Sequence, residues 1–190
     1  MNGSLLLYPA DPAVDPPGTD VLLAALAALG LVGARVGADA FLPGQALARL
    51  VVFAGCSPHL VLEPPADGGA FTQVRLHGPH AAARLLAGDN VAAPRCPACR
   101  ARIADWRERL AGWMADPATP VDCPGCGRVH PVSRLDWRGN AAAGRVFVEI
   151  GNVFPGEAVP AEALLDALGA LGCGPWRYAW VRGEGWRPAT

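Results

Sequence analysis

Lysine is missing altogether: the sixteen strongly basic side chains of this 190-residue chain are all arginine. That absence excludes a lysine-dependent phosphate loop and Schiff-base chemistry. Net charge is nearly missing too, at −1, so no global basic field exists to draw in nucleic acid. Long apolar runs are also lacking. The longest uncharged stretch, Val21 to Ala34, is too short to cross a bilayer and is predicted to lie in a core. Met1-Asn2-Gly3-Ser4-Leu5 carries no positive region, so no signal peptide is expected. What is abundant is alanine, arginine, glycine and proline, a bias of bacterial type. The 23 glycines and 19 prolines punctuate apolar segments and form no low-complexity tract, which predicts many turns rather than disorder. With 52 % apolar residues, the chain can bury a proper core.

Four of the six cysteines fall in two pairs, Cys96-Pro97-Ala98-Cys99 and Cys123-Pro124-Gly125-Cys126. Two intervening residues let a tight turn aim both sulfurs at one ion, and two such turns complete a tetrahedron. Gly127 suits the exit of the second turn, where the chain must swing away from the metal. The pairs resemble those of zinc-ribbon and zinc-knuckle proteins, which often read Cys-Pro-x-Cys followed by Gly or Arg. The resemblance implies a structural Zn2+ held by Cys96, Cys99, Cys123 and Cys126, and it extends to no other part of the chain. Between the pairs, Ile103, Trp106, Leu110 and Trp113 repeat at helical spacing, a departure from a ribbon built of strands. Metal-type pairs fit a reducing cytoplasm better than a disulfide framework.

Around that segment the pattern predicts an α+β protein: a mixed, largely antiparallel sheet with helices packed on it, with a ferredoxin-like arrangement as one candidate. The expected division is an N-terminal α/β part over 1–90, a zinc module over 91–138, and a β-α-β part over 139–190 that completes the main domain. Strands are expected at Leu5–Tyr8, Ala38–Leu42, Val132–Arg138, Val146–Ile150 and Trp176–Trp180. A hairpin is expected from His59–Glu63 and Phe71–Leu76. Helices are expected from Thr19 to Leu29, from Pro43 to Ala54, from Pro79 to Ala87 and onward from Pro160. Leu164, Leu165, Leu168 and Leu171 would face inward on the last.

Function is less legible. From Pro94 to Arg138 eight arginines stand against five acids, interleaved with three tryptophans. Arg100, Arg102, Trp106, Arg109, Trp113, Arg128, Trp137 and Arg138 form a candidate interaction surface, since Arg and Trp anchor protein interfaces. The same residues suit single-stranded nucleic acid, through phosphate neutralisation and base stacking. A third reading packs the tryptophans inward and leaves the arginines to solvent. Cys56, His59 and Glu63 are weak catalytic candidates, a thiol beside a base. His130 is expected near the metal but outside its ligand set. His77 and His80 lack two further ligands, Cys173 reads as packed, and the Trp176, Tyr178 and Trp180 face reads as core. The expectation is a binding or adaptor protein with a protein partner, nucleic acid as the alternative, no membrane contact, and no constellation that commits it to catalysis.

Overall fold

Leu5, Leu6 and Leu7 are all fully buried, so the strand they form is covered on both faces. The computed structural model of the chain describes residues 3–54, 60–154 and 156–183. β1 (Gly3–Pro9) leads to α1 (Thr19–Ala28), β2 (Val32–Arg35), β3 (Ala40–Pro43), the one-turn α2 (Leu47–Leu50) and β4 (Val51–Phe53). β5 (Gln73–His77) and β6 (Arg84–Ala87) precede the cysteine segment, which contains α3 (Trp106–Ala115), β7 (Pro120–Asp122) and β8 (Val129–Pro131). The chain returns through β9 (Ala141–Gly144) and β10 (Phe147–Val153) to β11 (Ala158–Pro160), α4 (Glu162–Gly169) and β12 (Trp176–Arg182).

Six strands pair in the order β12-β1-β10-β5-β3-β2, every neighbour antiparallel. The fold is therefore α+β with a largely antiparallel sheet. Period-two alternation divides the side chains between its faces. On one face, Leu5, Leu7, Val74, Val148 and Ile150 meet Leu22 and Leu26 of α1 and Leu164 and Leu168 of α4. Full burial of each such leucine contributes roughly 1.5–3 kcal/mol. α1 stops where Gly30 takes a φ of 75°. There the Gly30 and Leu31 N–H groups close back on the Ala27 and Leu26 carbonyls, each at 2.9 Å, the usual glycine-ended helix stop. Leu164 and Leu168 are buried as expected, while Leu165 and Leu171 are only partly covered.

On the other face, Leu6, Phe147, Ala179 and Val181 pack against Leu86 and Ala142. Those two belong to a ribbon formed by β6 and β9, in register from Arg84–Gly144 to Ala87–Ala141. The ribbon's opposite side, Leu85, Ala87, Ala141 and Ala143, belongs to the core of the cysteine module. The ribbon is thus a thin layer between sheet and module.

Several local expectations are corrected. The helix expected to reach Ala54 ends at Leu50, because Val51–Phe53 is taken up as β4 against β11. Residues 60–63 form no strand, and β5 pairs with β10 and β3 in place of the expected hairpin. The stretch read as a helix from Pro79 to Ala87 supplies β6, since Leu86 must face away from Leu85 and Ala87. Val132–Arg134 is a 3-10 turn, and the strand lies just before it as β8.

Candidate metal centre

The two cysteine turns are near copies of each other. In the first, the Cys96 N–H donates to the Ala101 carbonyl at 2.9 Å and the Arg100 N–H returns to the Cys96 carbonyl at 3.0 Å. In the second, Cys123 and Arg128 repeat the former bond, and Gly127 and Cys123 the latter, each at 2.9 Å. Arg100 and Gly127 occupy equivalent positions with φ of 68° and 67°. Glycine takes that conformation freely. An L-residue such as Arg100 takes it at a cost of about 1–2 kcal/mol.

All four sulfurs lie within 4.8 Å of one another. Cys96 Sγ is 3.8 Å from Cys126 Sγ, and Cys99 Sγ is 3.4 Å from Cys123 Sγ. A tetrahedral ion with metal–sulfur bonds of ~2.3 Å places its sulfurs about 3.8 Å apart, so the donor set fits one metal ion. Cys96 and Cys123 are buried, Cys99 and Cys126 exposed. The Ala98 and Gly125 N–H groups point at the Cys96 and Cys123 sulfurs, at 3.4 and 3.3 Å. His130 Nε2 lies 3.6 Å from Cys96 Sγ, outside the four-sulfur set, where an imidazole N–H can stabilise a thiolate.

The thiols divide by environment. Burial opposes ionisation of Cys123, yet the Gly125 and Cys126 N–H groups and the neighbouring thiols hold it at about 6. At Cys99 the Ala101 N–H favours the thiolate, but the Cys123 sulfur and burial outweigh it and push the thiol up to about 12. A divalent cation would remove the remaining protons, because a coordinating thiol is deprotonated outright.

Trp106, Trp113 and Trp137 are buried, at 8, 2 and 4 % exposure. They pack with Ile103, Val121, Val132 and Leu135 in one buried cluster. Trp113 meets Trp137 edge to face at 6.1 Å, and Trp137 Nε1 donates to the Val132 carbonyl at 3.2 Å. Arg107 and Arg109 lie over the rings of Trp106 and Trp113 at 5.1 and 4.7 Å. Arg100, Arg102, Arg109, Arg128 and Arg138 are exposed. The candidate surface therefore divides: tryptophans inward, arginines outward.

Cys56 and His59 lie outside the described residues, and Glu63 sits exposed in a loop. Cys173 is buried and accepts a hydrogen bond from Trp176 Nε1 at 3.1 Å. Trp176 is core, with Tyr178 and Trp180 packed against the same cluster. Two groups of residues escaped the sequence reading. Asn90 clamps the module to the edge strand: its Nδ2 donates to the Trp180 carbonyl at 2.9 Å and its Oδ1 accepts from the Arg182 N–H at 2.8 Å. Glu149 is wholly buried, accepting from Ser4 Oγ at 2.7 Å and meeting His77 Nε2 at 2.9 Å. A lone acid inside an apolar strand was the available signal for the second group. No helix among the described residues is long and apolar enough to cross a membrane. No family model matches this chain, and comparison with curated proteins and with solved structures finds no match.

Proposed function

We propose that this chain is a cytoplasmic, zinc-stapled binding protein, its module carried on a ferredoxin-like core and its partner an acidic surface of another protein. The ion is structural zinc, because four thiolates leave no coordination position for water or substrate. One observation carries the reading: the module turns its tryptophans inward and its arginines outward, on a frame held by the four cysteines. Exposed guanidiniums on a rigid frame suit carboxylate recognition, since each presents a planar fork of donors. Val129, 57 % exposed beside Arg128, adds an apolar contact of the kind found at the centre of interfaces.

Single-stranded nucleic acid remains the second reading, supported by the same arginines. It loses its stacking platform, because the tryptophans are buried and two of them lie under arginines. The test is affinity purification of the zinc-loaded protein beside a variant in which Arg100, Arg102, Arg109 and Arg128 become Glu. A protein retained by the native chain and lost by a folded, metal-replete variant is the expected result. Binding to a single-stranded oligonucleotide that falls steeply with salt would transfer the function to the second reading.

A further inference from the structure

The sheet face that carries the ribbon is not covered across its whole width. Beside Arg84, the first residue of β6, a cavity of about 780 Å³ opens between β5 and the turn that joins β2 to β3. That volume falls in the range of small-molecule sites. Its wall holds Arg75, His77, His80 and Arg84, with Asp39 on the opposite rim. Gly78 brings the two histidines to one wall. Its φ is 95°, and a Cβ there would sit 2.4 Å from the Arg145 carbonyl oxygen, so only glycine permits the approach.

Behind this wall the fully buried Glu149 is engaged by Ser4 and His77. On two lining residues of the cavity, Arg75 (paired in register with Glu149) and His80, the Nε and Nε2 atoms are buried without a hydrogen-bond partner among the described residues. A buried polar atom left unpaired is destabilising, so two on the residues of one cavity mark a place built for a bound group. The lining does not suit a cation. His77, His80 and Glu149 do not converge as ligands, and the described residues bring close metal donors together only at the four cysteines. Two arginines, Arg75 and Arg84, lining one cavity call for an acceptor that carries negative charge.

We propose that this cavity binds a small molecule through an oxyanion, a phosphate or carboxylate group held by Arg75, Arg84 and His80. The site is separate from the metal module and independent of the partner proposed for it.

The groups around His80 give binding a direction in pH. Arg84 and His77 act on it, Arg145 donates from Nε to its carbonyl at 2.9 Å and pairs with Asp15, Asp39 lines the same cavity, and Glu149 is held by Ser4 and His77. Burial, then Arg84, then His77 lower the pKa of His80 from its ordinary value. A bound oxyanion offsets the Arg84 charge and raises the His80 pKa again, so binding takes up a proton, strengthens as pH falls through the raised midpoint of the complex, and levels off below the lowered midpoint of the free chain.

The experiment titrates the zinc-loaded chain with inorganic phosphate and, separately, with succinate. It follows heat of binding and the imidazole resonances of His77 and His80. The expected result is binding of one anion with a Kd below about 1 mM, with the His80 midpoint moved upward. Arg84 is exposed, so Arg84→Gln keeps the fold; it and His80→Gln should each weaken binding at least about tenfold, while Arg128→Gln binds as the native chain does. Preference between the two anions identifies the group. Unmoved histidine resonances with both anions, or undiminished binding by Arg84→Gln and His80→Gln, would overturn the proposal.

Discussion

The helix-covered face of the sheet and the cysteine module are both packed cores, but they are built from different materials. The first interlocks leucines, valines and isoleucine from β1, β5, β10, α1 and α4. The second contains three tryptophans and four alanines beside five larger aliphatic side chains. Its α3 is ten residues long, and Asp105 enters at a φ of 52° and accepts no capping hydrogen bond, which is marginal for an isolated helix. Apolar burial suffices to order the first region. The second also gathers four cysteines close enough to hold an ion, which under the proposed function fastens its loops.

Removing the metal should break that balance most. Structural zinc contributes an apparent ~10–16 kcal/mol in small modules. A strong chelator should therefore expose Trp106, Trp113 and Trp137 and shift tryptophan emission to the red, while amide protons of β1 and β10 stay protected. Loss of protection in both regions would erase the distinction and make them one cooperative unit.

Next in size are two truncations. Trp113→Ala should cost about 3–5 kcal/mol, and Leu168→Ala about 2–5 kcal/mol. They should act in different places. Trp113→Ala should weaken metal retention in competition with a chelator and leave the denaturant midpoint of the sheet nearly unchanged. Leu168→Ala should lower that midpoint and leave metal retention intact. The smallest effect sharpens the contrast within the module itself: Gly127→Ala forces a Cβ into a left-handed turn and should reduce metal affinity by about 1 kcal/mol. Arg100→Gly at the equivalent position relieves that strain but gives up the ion pair with Asp136, so competition titrations should separate the two turns.

Most of what was legible before folding came from patterns contained within one element. The cysteine pairs, the 3.6-residue repeat through Trp106 and Trp113, the leucines of α4 and the run at Leu5 each carry their own signal. What failed depended on partners distant in sequence. Leu85-Leu86-Ala87 is apolar on both sides, which fits a helix as well as a strand until β9 and the two cores claim opposite faces. Val51 continues the spacing set by Leu47, and only β11 pulls it out of the helix. The Glu149, Ser4 and His77 cluster joins positions 145 and 72 residues apart, a separation no local pattern reveals.

The ribbon has a consequence for how such a chain changes over time. The module leaves the sheet after β5, comes back just before β10, and crosses a gap where Ala87 and Ala141 stand paired. The two ends of the excursion over residues 88–140 are thus about one strand spacing apart. Segments inserted or deleted beyond that pair lengthen or shorten an outgrowth without altering the strand alignments at its root. The cysteine-bearing head is an appendage that can be remodelled while the trunk keeps its shape.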